Sequence, residues 1–178
     1  DETRARPGFG NDLGKPSLKW LSDEWIEMLK VVFAEAKSLG MTCDLIVGSG
    51  WPFGAEYLEG EERSQIAVIA VKKLTGPLDY EISRYEIFRE ADPAVSSPFA
   101  GRTMELLSLM LVPDPLSSID QVTGLDIRTK NETFRISVPE GKHALYGLVK
   151  ITGFMQVISG APGATGPVLN HYSKPAVE

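Results

Sequence analysis

Only one long window of the chain carries apolar residues at helical spacing. Trp25, Met28, Leu29, Val32, Phe33, Ala36 and Leu39 stand at i, i+3, i+4, i+7, i+8, i+11 and i+14, one continuous stripe. Ser22 can accept a backbone N–H as N-cap, Asp23 and Glu24 suit the positive helix end, and Gly40 offers a left-handed stop. The pattern predicts a helix over 23–39. Directly after it Met41 to Val47 is short, apolar and β-prone, which predicts a strand over 42–47 buried on both faces. Helix, glycine and buried strand in that order form half of a parallel α/β unit, and such a strand needs parallel neighbours and covering helices. Gly48-Ser-Gly-Trp-Pro-Phe-Gly54 follows as a glycine-rich, aromatic loop.

Past Gly54 the texture becomes that of strands. Ser64 to Leu74 is apolar and β-branched, and Thr75-Gly-Pro77 reads as a turn. Leu78 to Phe88 alternates through Tyr80 and Ile82, then Tyr85 and Ile87, a phase slip that points to a bulge. After a Pro- and Ser-rich loop from Ala91 to Gly101, further strands are expected over 104–112, 122–129, 133–138 and 144–152, with 154–158 as one more. Turn signals at Lys130-Asn131 and Pro139-Glu-Gly141 give the short spacing of an antiparallel sandwich. Ser159 to Pro167 is a Gly/Pro-rich linker. Val168-Leu-Asn170 is a strand stub, and Ser173 caps a helix that has Pro175 in its first turn. The expected architecture is α/β plus β: a partial (β/α)8 barrel segment in residues 1–54, interrupted by an antiparallel β-sandwich-like domain in 55–166, with the barrel resuming in 167–178.

Composition narrows the function classes. With 178 residues and a net charge of −6, no surplus of Lys and Arg is available to neutralise phosphates, so general nucleic-acid binding is disfavoured. No apolar run approaches the ~20 residues of a membrane span. The single cysteine, Cys43, excludes an internal disulfide and a cysteine metal cluster, and its place on the expected strand makes it a small core hydrophobe. A start at Asp1 without Met and a helix that begins at Ser173 but stops at Glu178 are the ends expected of an excised piece.

Leu21-Ser-Asp-Glu-Trp25, Ala36-Lys-Ser-Leu-Gly-Met41 and Gly48-Ser-Gly-Trp-Pro-Phe-Gly54, in that order, resemble the N-terminal barrel segment of glycoside hydrolase family 106, the α-L-rhamnosidases. Gly76-Pro77, Val138-Pro-Glu-Gly141 and Gly163-Ala-Thr-Gly-Pro-Val-Leu-Asn-His-Tyr-Ser-Lys-Pro-Ala-Val177 look like later landmarks of that family. The resemblance implies a (β/α)8 barrel bearing β-domains, an extracytoplasmic setting, and cleavage of terminal α-L-rhamnose from polysaccharides with calcium assisting. It also implies that the rest of a barrel is the chain's partner. The sequence departs from the family in length, well short of the ~250 residues of a full barrel, and in having Ala55-Glu-Tyr57 where relatives carry a second glycine and a tryptophan.

Glycoside hydrolysis needs two carboxyl groups flanking the scissile bond. Asp44 sits at the wrong end of the expected strand. Glu56, Glu59, Glu61 and Glu62 read as a solvated surface, so no catalytic pair and no metal ligand is assigned within this chain. Trp51 and Phe53 either stack on a sugar, with the indole N–H finding a hydroxyl, or plug the barrel rim. Ser49 among its glycines either approaches a ligand or makes a turn. Asn170 and His171, at the end of the strand stub, either face the site or cap and pack. His143 reads as a surface turn residue, and two separated histidines do not make a transition-metal site. Asn11 and Asp12 read as a local turn. The substrate-contact candidates are thus Ser49, Trp51, Phe53, Asn170 and His171. The alternative function is a non-catalytic carbohydrate-binding or interaction module.

Overall fold

The computed structural model describes residues 16–45, 48, 50–91, 102–128, 132–158 and 160–177. The chain divides into two compact units. One is Ser64–Phe154, and the other joins the described parts of Asp1–Arg63 and Met155–Glu178.

The Ser64–Phe154 unit is a four-stranded antiparallel sheet with one helix on it. Its elements are β1 (Gln65–Ser83), α2 (Arg84–Ala91), β2 (Thr103–Pro113), β3 (Thr123–Gly124) and β4 (Thr133–Thr152), with strands ordered β1-β4-β2-β3. β1 and β4 pair along almost their whole lengths, from Gln65↔Thr152 to Ser83↔Thr133. Side chains alternate between sheet faces, and on β1 the buried positions Ala70, Leu74 and Ile82 are all even. On β4 the core residues are Phe134, Ile136 and Val138 before the bulge, then Leu145, Val149 and Ile151 after it. The change of parity follows from Gly76 facing both Glu140 and Gly141, which places one extra residue in β4 and returns the apolar set to the same face. A second bulge, between Leu106 and Ser108, does the same for β2, so that Leu106 lines up with Leu109 and Leu111.

Helix α2 covers that face through Ile87 and Ala91, 2% and 1% exposed. Its close seat depends on Gly147, where a Cβ would stand 2.8 Å from Ile87 Cγ2. Ser83-Arg-Tyr-Glu86 is a capping box for this helix. The Ser83 hydroxyl oxygen accepts from the Glu86 N–H at 3.1 Å, and the Glu86 carboxylate accepts from the Ser83 N–H at 2.8 Å. These bonds, the Ser83 N–H first and the Ser83 hydroxyl second, hold the exposed Glu86 carboxyl below its ordinary value of 4.5.

In the other unit, α1 (Asp23–Ser38) has the expected caps. Ser22 Oγ accepts from the Trp25 N–H at 3.3 Å. Gly40, at φ 67, lets Met41 N–H reach the Ala36 carbonyl and Gly40 N–H the Lys37 carbonyl, the paired bonds of a Schellman stop. None of its residues is buried: Met28, Val31 and Val32 are each about half exposed. Short bridges hold the rest of the unit: Trp51↔Ile158, Gly54↔Val168, Arg63↔Leu169 and Gln156↔Pro167, all antiparallel. The last helix, α3, is the single turn Lys174–Val177.

The barrel segment is therefore not present. Residues 41–45 of the run expected as a strand over 42–47 adopt no regular structure and are exposed, while Ile46 and Val47 fall outside the described residues. Every pairing among the described residues is antiparallel, so no parallel neighbour exists to satisfy that backbone. The β-rich part is one sheet with a helix on it, not a two-sheet sandwich. Thr75-Gly-Pro77 and Pro139-Glu-Gly141, read as turns, lie opposite each other and form the bulge inside two long strands. The phase slip after Ile82 is the boundary between β1 and α2. The strand expected over 122–129 shrinks to two residues, and 154–158 contributes only isolated bridges. Cys43 is exposed. His143 is buried on β4 opposite Leu74, its Nδ1 3.3 Å from the Gly141 carbonyl oxygen.

Candidate functional site

The sequence candidates converge in the unit that carries α1. The backbone of 51–54 lies against two separate segments. Trp51 exchanges backbone hydrogen bonds with Ile158 (3.2 and 3.0 Å), and Leu169 N–H donates to the Phe53 carbonyl at 2.9 Å. This double attachment carries Trp51, Phe53 and His171 into one run of rings. Trp51 and Phe53 meet edge to face, centroids 5.3 Å apart at 83°, and Phe53 meets His171 at 6.4 Å and 75°. Phe53 is half-buried and is the fixed centre of the run. Gly48, at φ 105, lies so close to it that a Cβ there would run into the Phe53 ring. Trp51, joined to Pro52 by a cis peptide bond, is 70% exposed.

Asn170 belongs to the same place but plays a different part. Its backbone N–H donates to the Glu62 carbonyl at 2.7 Å, its Nδ2 donates to the Glu61 carbonyl at 3.1 Å, and its Oδ1 accepts from the Tyr172 N–H at 3.2 Å. A flipped amide would set N–H against N–H and O against O, so these contacts fix its orientation. The turn they lock presents His171 and leaves Tyr172 wholly exposed. Tyr172 was not singled out from sequence. Its signal was an aromatic residue in a loop, next to a candidate and just before a helix cap. Ser49 lies outside the described residues, as do Asn11 and Asp12.

The sheet unit has a separate groove of about 630 Å³, lined by Glu81, Leu125, Asp126, Glu132, Thr133, Phe134 and Arg135. Its charges are largely paired: Arg135 Nε to Glu81 at 2.6 Å, and the Arg128 guanidinium to Asp126 at 3.0 and 3.2 Å. The Arg128 side chain, then its backbone N–H, holds the Asp126 carboxyl below its usual range. A glycosidase acid must instead be pushed upward so that it keeps its proton near neutrality. Asp126 and Glu86 are both shifted the other way. The calcium implied by the resemblance finds no group of three or more His, Cys, Asp or Glu side chains placed to hold a metal ion among the described residues. Nor is any described helix long and apolar enough to cross a membrane.

No family model, curated protein or solved structure matches this chain.

Proposed function

We propose that this chain supplies a carbohydrate-contacting surface to an extracytoplasmic glycoside hydrolase of the α-L-rhamnosidase kind, with Trp51 as the principal sugar contact. The observation that supports this reading is the run Trp51–Phe53–His171, formed from two segments about 120 residues apart in sequence and ending in an exposed indole. An indole face covers the apolar face of a pyranose while its N–H reaches a ring hydroxyl, and an imidazole supplies a second polar edge. The chemistry of bond cleavage belongs to carboxyl groups outside this surface.

A second reading, a carbohydrate-binding module with no catalytic duty, draws on the same exposed indole of Trp51. Calorimetric titration of the chain with rhamnose-terminated oligosaccharides tests what the two share. Trp51→Ala should weaken binding by about tenfold or more, as removal of an aromatic anchor does. Equal affinity in the variant would sink the proposal. Incubation with an aryl α-L-rhamnoside should give no turnover by this chain, and turnover would place catalysis within it.

A further inference from the structure

The strands of the sheet differ in length, and the difference leaves room for one more. β2 pairs with β4 only from Pro113↔His143 to Thr103↔Thr152. Residues 133–142 of β4 therefore have β1 on one side and, among the described residues, no strand on the other. In an antiparallel pair a residue turns both its N–H and its C=O toward the partner strand, and the next residue turns both away. The Arg84 N–H donates to the Glu132 carbonyl at 2.7 Å, which sets the phase of this alternation. Phe134, Ile136 and Val138 then face β1 with their backbone groups, and Thr133, Arg135 and Ser137 turn theirs outward. Beyond the bulge the same edge is already in use, since the Asp114 N–H donates to the Lys142 carbonyl at 2.9 Å.

Thr133 and Arg135 also line the groove of about 630 Å³, so the free backbone groups and the groove coincide. That volume lies in the range of ligand clefts, about 300–1,000 Å³. Leu125 and Phe134 give the groove an apolar wall. Its charges cancel in two pairs, Arg135 with Glu81 and Arg128 with Asp126. The exposed Glu132 carboxylate is the lining charge left without an ion pair among the described residues.

We propose that this groove is a peptide-docking site. An extended segment of another polypeptide adds to the 133–137 edge of β4 as a new strand, directing a lysine or arginine to Glu132 and an apolar side chain to Leu125. In strand addition of this kind the main-chain hydrogen bonds supply affinity, and the alternate side chains supply selectivity. The proposal concerns the sheet unit alone and does not depend on the carbohydrate reading.

The test is titration of the full chain, followed by amide NMR, with short capped peptides that alternate valine with lysine or valine with glutamate. The lysine peptide should move the amide signals of Thr133, Arg135 and Ser137, and the glutamate peptide should leave them in place. Glu132→Gln should weaken the lysine peptide by about fivefold, the upper range for an exposed ion pair, with the β1 and β2 signals unchanged as the sign of an intact fold. Two further lysine peptides, N-methylated at one or the other alternate set of residues, test the backbone bonds. A strand bound by one edge loses affinity with one set and keeps it with the other. Equal behaviour of those two peptides, equal binding of the glutamate peptide, or shifts elsewhere than at 133–137 would each overturn the proposal. So would the absence of binding by any peptide. Concentration-dependent broadening at 133–137 without peptide would make the occupant a second copy of this chain, which also overturns it.

Discussion

The two units solve the problem of holding a chain together in opposite ways. In Ser64–Phe154, long strands in fixed register bring Leu109, Val149, Ile136 and Val138 together at 0–3% exposure, and α2 closes the face. In the other unit the most buried hydrophobic residues are mainly small, Ala164 at 0%, Ala55 at 3% and Val168 at 4%, and order comes from isolated bridges and caps. Among the large apolar side chains of α1, Met28, Val31, Val32 and Phe33 are exposed and Trp25, Ile26 and Leu29 only half-buried. Stability is therefore concentrated where the ladder is. The rings of Trp51, Phe53 and His171 stand where backbone hydrogen bonds, not a large core, set their positions.

The contrast breaks most readily at the core. Leu109→Ala in the sheet should cost about 2–5 kcal/mol, while Met28→Ala on α1, a deletion of similar size, should stay within about 0.5 kcal/mol. Chemical denaturation of the two variants measures both, and equal losses would erase the distinction. Next in size is Gly147→Ala. The new methyl would press on Ile87 Cγ2 and cost about 1–3 kcal/mol as overpacking, and a companion Ile87→Leu change, which removes that γ methyl, should recover part of it. A neutral Gly147→Ala would mean that α2 sits more loosely than its contacts indicate.

The smallest effect sharpens the picture at the strand–helix boundary. Ser83→Ala should cost about 1 kcal/mol as a lost N-cap. Its pH dependence has a definite sign. The Glu86 carboxyl is held below 4.5 in the folded chain, so its contribution is complete above that value and disappears as pH falls through the lowered native value. Thermal unfolding followed from pH 6 to pH 2 should show this acid-side loss diminished in Ser83→Ala. An unchanged profile would mean that the Ser83–Glu86 contact does not persist in solution.

What could be read from sequence was local, and what was misread depended on distant partners. Helix α1 was legible because its stripe and both caps lie within twenty residues. The Met41–Val47 run was not, because an apolar β-prone segment becomes a buried strand only when parallel neighbours supply its hydrogen bonds. Gly76-Pro77 and Pro139–Gly141 carry good turn chemistry, yet cross-strand pairing turned both into one bulge. The capping box at Ser83 was present in the sequence but was overridden by the alternation that precedes it. Of the sequence candidates, Trp51, Phe53 and His171 come together as neighbouring rings. The locking role of Asn170 was not, since its partners Glu61 and Glu62 are distant in sequence, and Tyr172 needed its exposure to be seen.

The strand order has one consequence for how the protein behaves in company. β1 lies at the margin of its sheet, so among the described residues one side of a 19-residue strand has no partner strand in that sheet. Unpaired strand margins recruit other strands, and Ile69 and Val71, 59% and 44% exposed, add apolar attraction to that tendency. Lys72 and Lys73 place charge on the same stretch, and Pro77 removes a donor beyond it. Lys72, Lys73 and Pro77 are thus the residues along β1 that oppose such pairing.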